Sequence, residues 1–213
     1  MEKKPKIKLR KLLTVGNIIS QTVVRIPFEG DWYKFVKQPQ NRGVWIVWGQ
    51  SGSGKSSFIM QLAKELAKTK KVLYNTLEED PDDDELIQRQ IDFNMSDVKD
   101  KFYVQNYKYD ELWQCLENRN PPDVIIIDSL TYFTKDFDEY MKFKKRFRNK
   151  IIIFTAHANG DKPKTEIEDR VKFDAKMKIQ VNGFLATCRG RTASGGTFII
   201  YKEGYEALRG KDE

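Results

Sequence analysis

The chain has 213 residues, enough for one α/β domain with a sizeable core plus short arms, and too few for a second full domain beside it. Hydrophobic residues make up 39% and charged residues 32%, and the longest apolar runs stop far short of the ~20 residues a membrane span needs, so no membrane partner is expected. The net charge of +7 invites a polyanionic partner, yet residues 1–11 hold six basic side chains against Glu2 and leave the rest nearly balanced. That basic start reads equally as a phosphate-contacting tail and as a solvated arm.

Residues 1–42 read as an irregular N-terminal arm, basic at its beginning and packed on the core through Trp32, Tyr33 and Phe35. Such an arm could also hook a neighbouring subunit. The opening MEKKPKIKLRKLL is followed by no apolar signal core. Cys115 and Cys188 have no CxxC spacing, which argues against a disulfide framework or zinc site. A cytoplasmic location is therefore expected.

Strand-like runs follow at 43–48, 72–77, 102–107, 123–130 and 150–156, separated by helical patterns at 55–68, 83–94, 110–118 and 135–148. This alternation is the signature of parallel βαβ construction with helices on both faces of a sheet. In the last helix Phe137, Tyr140, Met141 and Phe147 recur at helical spacing. The cluster Lys142, Lys144, Lys145, Arg146, Arg148 and Lys150 then reads first as its solvated face. After residue 175, KMKIQV, GFLATCR and GTFIIY with short turns suggest antiparallel strands completing the sheet edge. The expected fold is a three-layer α/β core over 43–205, mostly parallel with antiparallel C-terminal strands, and a short tail over 206–213.

Residues 49–56 read GQSGSGKS, a full match to GxxxxGK(S/T), placed after an apolar strand and before a helical pattern. Gly49, Gly52 and Gly54 let the backbone wrap its N–H groups around a phosphate. Gln50, Ser51, Ser53 and Ser57 complete the cradle, and the helix beginning near Lys55 adds its positive end. Lys55 is expected to bridge the β- and γ-phosphates of ATP, and the Ser56 hydroxyl to ligate Mg2+. Asp128, ending the apolar run VIIID, is the expected carboxylate on the other side of the metal. Ser129 could simply cap the next element.

In motif order, residues 43–202 resemble the RecA superfamily, including DnaB-type helicases, RadA-like recombinases and KaiC-like ATPases. The resemblance implies that a glutamate after the second strand activates the attacking water. In VLYNTLEED that residue is Glu78, with Glu79 beside it; the acidic run to Glu85 also reads as a helix entrance. It further implies that His157, ending IIIFTAH, senses the γ-phosphate where DnaB-type members more often carry Gln. The loop expected over 158–174 then has the position of a nucleic-acid contact, although its charges nearly cancel. Finally RGRTASGGT resembles the segment that reaches a neighbouring subunit's ATP, with Arg191 as an arginine finger and Arg189 in the lysine position of a KxR pair.

Other P-loop classes fit less well: the arginine-rich lid of a small-molecule kinase, the NKxD of a GTPase, the LSGGQ-like signature of an ABC ATPase and the helical lid of an AAA+ protein are not seen. The resemblance implies an oligomeric, DNA-dependent ATPase of replication, recombination or repair. A KaiC-like regulatory or assembly ATPase without nucleic acid is the alternative.

Overall fold

A computed structural model describes residues 11–190 and 195–209. In chain order the elements are α1 (Val15–Ile19), α2 (Gly30–Val36), β1 (Gly43–Gly49), α3 (Lys55–Ala67), β2 (Val72–Thr76), α4 (Asp84–Asp92), a 3-10 turn (Met95–Val98), β3 (Phe102–Gln105), α5 (Tyr109–Glu117), β4 (Val124–Asp128), α6 (Leu130–Phe133), α7 (Phe137–Arg146), β5 (Ile151–Asn159), β6 (Lys162–Pro163), α8 (Glu166–Asp174), β7 (Met177–Asn182), β8 (Leu185–Gly190), β9 (Thr197–Ile199) and α9 (Lys202–Arg209).

The main path of the sheet runs β3-β2-β4-β5-β1-β7-β8-β9, with β6 folded back on β5. The six strands from β3 to β7 are mutually parallel, and β8 and β9 add antiparallel pairs at the edge. Side chains alternate between the two faces of each strand, and both faces are covered, which is why the parallel strands are continuously apolar. Trp45, Val47, Tyr74, Ile126 and Ile153 pack toward Phe58, Leu62 and Leu66 of α3. Val44, Ile46, Ile125, Ile127 and Phe154 pack on the opposite side with Leu112 of α5, Phe143 of α7 and Val171 of α8. The result is three layers.

The stretch expected to be an irregular arm is partly regular. Ile26, Phe28, Phe35 and Val36 are buried in the first of these cores, and Trp32 stacks on Phe198 of β9 with ring centroids 4.4 Å apart. In GDWYKFV, Trp32, Phe35 and Val36 stand at i, i+3 and i+4, one face of a helix, and α2 presents that face to the sheet. By contrast, residues 11–24 are exposed throughout.

The expected loop over 158–174 is also folded. It turns back through β6 and then forms α8, whose N-cap Thr165 and N3 residue Glu168 make a reciprocal capping box. The segment TEIE carries that signature. Glu168 is fully buried and accepts hydrogen bonds from the Thr165 N–H and hydroxyl and from the His157 N–H, which ties α8 to the end of β5. The expected tail from 206 begins inside α9. Among the described residues no helix is long and apolar enough to cross a membrane.

Candidate functional site

The C-terminal ends of β1, β2, β4 and β5 converge on one end of the sheet. β1 delivers Gly49 beside His157 of β5 on one flank and Val181 of β7 on the other. A Cβ on Gly49 would stand 2.5 Å from the Val181 carbonyl oxygen and 2.7 Å from the Ser53 Oγ, so the chain can enter the turn here only as glycine. Gly52 and Gly54 take φ of +73° and +95°, in the left-handed region where a side chain is strained.

Gly54 is the N-cap of α3, which begins at Lys55 with Ser56 and Ser57 in its first turn. The turn is braced from the β7–β8 hairpin, where the Phe184 N–H donates to the Ser53 carbonyl at 3.0 Å. The Ser53 hydroxyl is buried without a hydrogen-bond partner. A buried, unpaired hydroxyl costs free energy, and it lies in a cradle of turning backbone, as a site shaped for phosphate oxygens requires.

Asp128 ends β4 with 7% exposure. The hydroxyls of Tyr74 (β2) and Thr155 (β5) both donate to its carboxylate, one to each oxygen. Burial, reinforced by the Asp128 charge, pushes the Tyr74 phenol well above its ordinary range, so it stays a donor. Asp128 makes no ion pair among the described residues. No group of three His, Cys, Asp or Glu among them could hold a metal alone. Ser56 and Asp128 are oxygen donors of the kind Mg2+ takes when phosphates and water complete its shell. The fit is therefore to a metal that arrives with a nucleotide.

Just beyond β2, Glu78 and Glu79 are sorted by their partners. The Glu78 carboxylate meets the His157 Nε2 at 2.9 Å. Glu79 makes a bidentate pair with Arg89 of α4 at 2.7 and 2.9 Å. Hydrogen bonding to Arg89 holds the Glu79 carboxyl below its ordinary range against its partial burial, with smaller help from the charges of Arg89 and Lys55. Ser129, the N-cap of α6, is fully buried and makes no side-chain cap.

Arg189 lies apart from these groups. It is exposed on β8 opposite Lys178 of β7, toward the other end of the sheet from Gly49. Arg191 lies outside the described residues.

No protein-family model matches the chain, and a search of curated proteins finds no match. Solved structures do match. The flagellar accessory protein FlaH from Methanocaldococcus jannaschii is 19% identical, with a TM-score of 0.58 over 81% of this chain and 88% of that one. A KaiC-like protein from the hyperthermophilic archaeon Pyrococcus horikoshii is 16% identical, with a TM-score of 0.60 over 81% of this chain and 90% of that one. The fold is that of the RecA-superfamily P-loop ATPases. At such identities the likeness establishes the architecture, and the chemistry rests on the residues themselves.

Four residues of this site escape a reading of motifs: Tyr74, Arg89, Thr155 and Phe184. Tyr74 and Thr155 left a trace, as polar groups inside otherwise apolar strands, where burial demands a partner. Arg89 and Phe184 left none, because their partners Glu79 and Ser53 are set by tertiary packing.

Proposed function

We propose that this protein is a magnesium-dependent ATPase of the RecA-like class that works as an oligomer on DNA, as a motor, loader or strand-binding ATPase in replication, recombination or repair. The observation that carries the hydrolytic part is the placing of the buried Asp128 carboxylate and the Glu78–His157 pair beside the turn Gly49–Ser57. The backbone of that turn holds the phosphates, and Lys55 bridges the β- and γ-phosphates. Ser56 and Asp128 would hold Mg2+, which would offset charge on the transferring phosphoryl group. Glu78 accepts the proton of the attacking water, and His157 relates the γ-phosphate to Glu78.

The oligomer is supported by Arg189, which is exposed and apart from its own chain's turn. Together with Arg191 it would serve the ATP of a neighbouring copy, where such an arginine is worth roughly 10³ to 10⁵ in rate. DNA is supported by the β5–β6 hairpin, which turns two residues beyond His157 and exposes Lys162 at the start of β6.

A second reading is favoured by the similar structures themselves, one a flagellar accessory protein and one KaiC-like. In it, ATP switches a regulatory or assembly protein without nucleic acid. Steady-state hydrolysis with Mg2+ at low salt, with and without single-stranded DNA, separates the two. Lys55→Ala sets the background and Arg191→Ala tests the finger. Stimulation by DNA that both substitutions abolish supports the first reading; hydrolysis that needs Lys55 but ignores DNA selects the second.

A further inference from the structure

At the opposite end of the sheet from the ATP turn, the beginnings of β1 and β5, the α8–β7 connection and α7 with the residues after it line an open groove of about 1350 Å³. β1 spans Gly43 to Gly49, so at about 3.3 Å per residue the groove lies roughly 20 Å from the phosphate turn. Its lining includes eight basic residues and only the acidic pair Asp138 and Asp174.

Two of those cations are already paired: Lys144 with Asp174 and Arg146 with Glu117. Arg42, Lys142, Lys145, Arg148 and Lys150 make no ion pair among the described residues. Concentrated positive charge inside a concave surface focuses potential toward an anion.

Lys150 is half-buried, and its burial pushes the ammonium below its ordinary range. A bound phosphate would return what desolvation takes. We propose that this groove docks the phosphate backbone of a nucleic acid, with Arg42, Lys142, Lys145, Arg148 and Lys150 as its contacts.

The choice of polyanion rests on the nucleic-acid reading under Proposed function and on the shape of the floor. An acidic protein segment draws its affinity from anchors that fill apolar pockets. Here Phe147 is buried and Trp113 is packed edge-on against Phe143 and Phe147, so the rings of the floor are already filled by one another, and Met141 is the one large apolar side chain of the lining that stands exposed. A repeating phosphate chain needs only the cations.

The test uses the full chain and fluorescence anisotropy with a labelled oligothymidylate, and with a duplex of equal length, across a salt series. The variant K142E/K145E/R148E should bind at least about tenfold more weakly. Its affinity should depend less on salt, the logarithmic slope falling by about 2 for three lost single-strand contacts. Its DNA-free ATP hydrolysis and melting temperature should match the wild type. A milder variant, K145Q/R148Q, should show a smaller loss in the same direction and covers a folding failure of the first.

Wild-type affinity and slope in both variants overturn the groove, as does a loss confined to K162E/K164E at and just after β6. Displacement of the oligonucleotide by polyglutamate at equal charge overturns the nucleic-acid assignment in favour of an acidic protein. Groove-dependent binding without stimulation of hydrolysis sinks only the DNA-dependent ATPase and leaves the groove standing. Stimulation that survives K142E/K145E/R148E with undiminished binding does the reverse.

Discussion

The Nε2 of His157 and the Oε1 of Glu78 meet at 2.9 Å across 79 positions of sequence. One side chain leaves the end of β5 and the other follows β2, and between those strands lies β4 with Asp128 at its tip. Whatever moves the end of β5 therefore moves the group proposed to activate water.

Glu78→Gln should reduce ATP turnover by about 10²- to 10⁴-fold while leaving nucleotide binding intact. His157→Ala should lower kcat by roughly tenfold or more with little change in KM, because it acts through Glu78. Rapid-quench hydrolysis and nucleotide titration give both numbers. Full turnover in Glu78→Gln with loss in Glu79→Gln would move the base to Glu79.

Thr155→Val removes one of the two hydroxyls that satisfy the buried Asp128. A destabilisation of about 1–3 kcal/mol is expected in urea unfolding. The Mg2+ concentration for half-maximal hydrolysis should rise as the carboxylate loses its fixed orientation. An unchanged Mg2+ requirement would mean that Asp128 is held without Thr155.

The Arg89–Glu79 pair gives a pH-dependent contribution. Because Arg89 holds the Glu79 carboxyl below its ordinary range, the unfolded chain binds more protons there than the folded one. The stabilisation is present at neutral pH and is lost as pH falls through the lowered native value. The stability gap between wild type and Arg89→Met should narrow between pH 7 and about pH 3; a gap that stays constant in acid contradicts the pairing.

The N-terminal segment should separate into two behaviours. Phe35→Ala empties a fully enclosed position and should cost about 3–5 kcal/mol. Leu13 and Ile19 are 58% and 78% exposed, so deleting residues 1–20 should leave the melting temperature nearly unchanged. If the arm reaches a neighbouring copy, the same deletion lowers the sedimentation coefficient of the ATP-bound protein. Unchanged sedimentation ends that idea.

The order and type of the core strands and helices are legible in the sequence because apolar periodicity is local and strong in a sheet covered on both faces. α8 is hidden although TEIE announces its cap, since the charged residues around it outweigh its narrow apolar face of Ile167 and Val171. α2 is hidden because it is only seven residues long: Trp32, Phe35 and Val36 have helical spacing, but the surface that face packs on, including Phe198 of β9, is supplied by the tertiary fold.

The turn proposed to hold phosphate was legible in the sequence alone, because its conformation is contained in eight consecutive residues whose glycines permit only a few backbone paths. The sorting of Glu78 from Glu79, the two hydroxyls on Asp128, the bracing of Ser53 by Phe184 and the meeting of Arg42 with the basic run 142–150 beneath β1 were decided by tertiary structure. Each joins residues that meet only through strand order and the packing of helices on the sheet, and neither is contained in a local pattern of side chains.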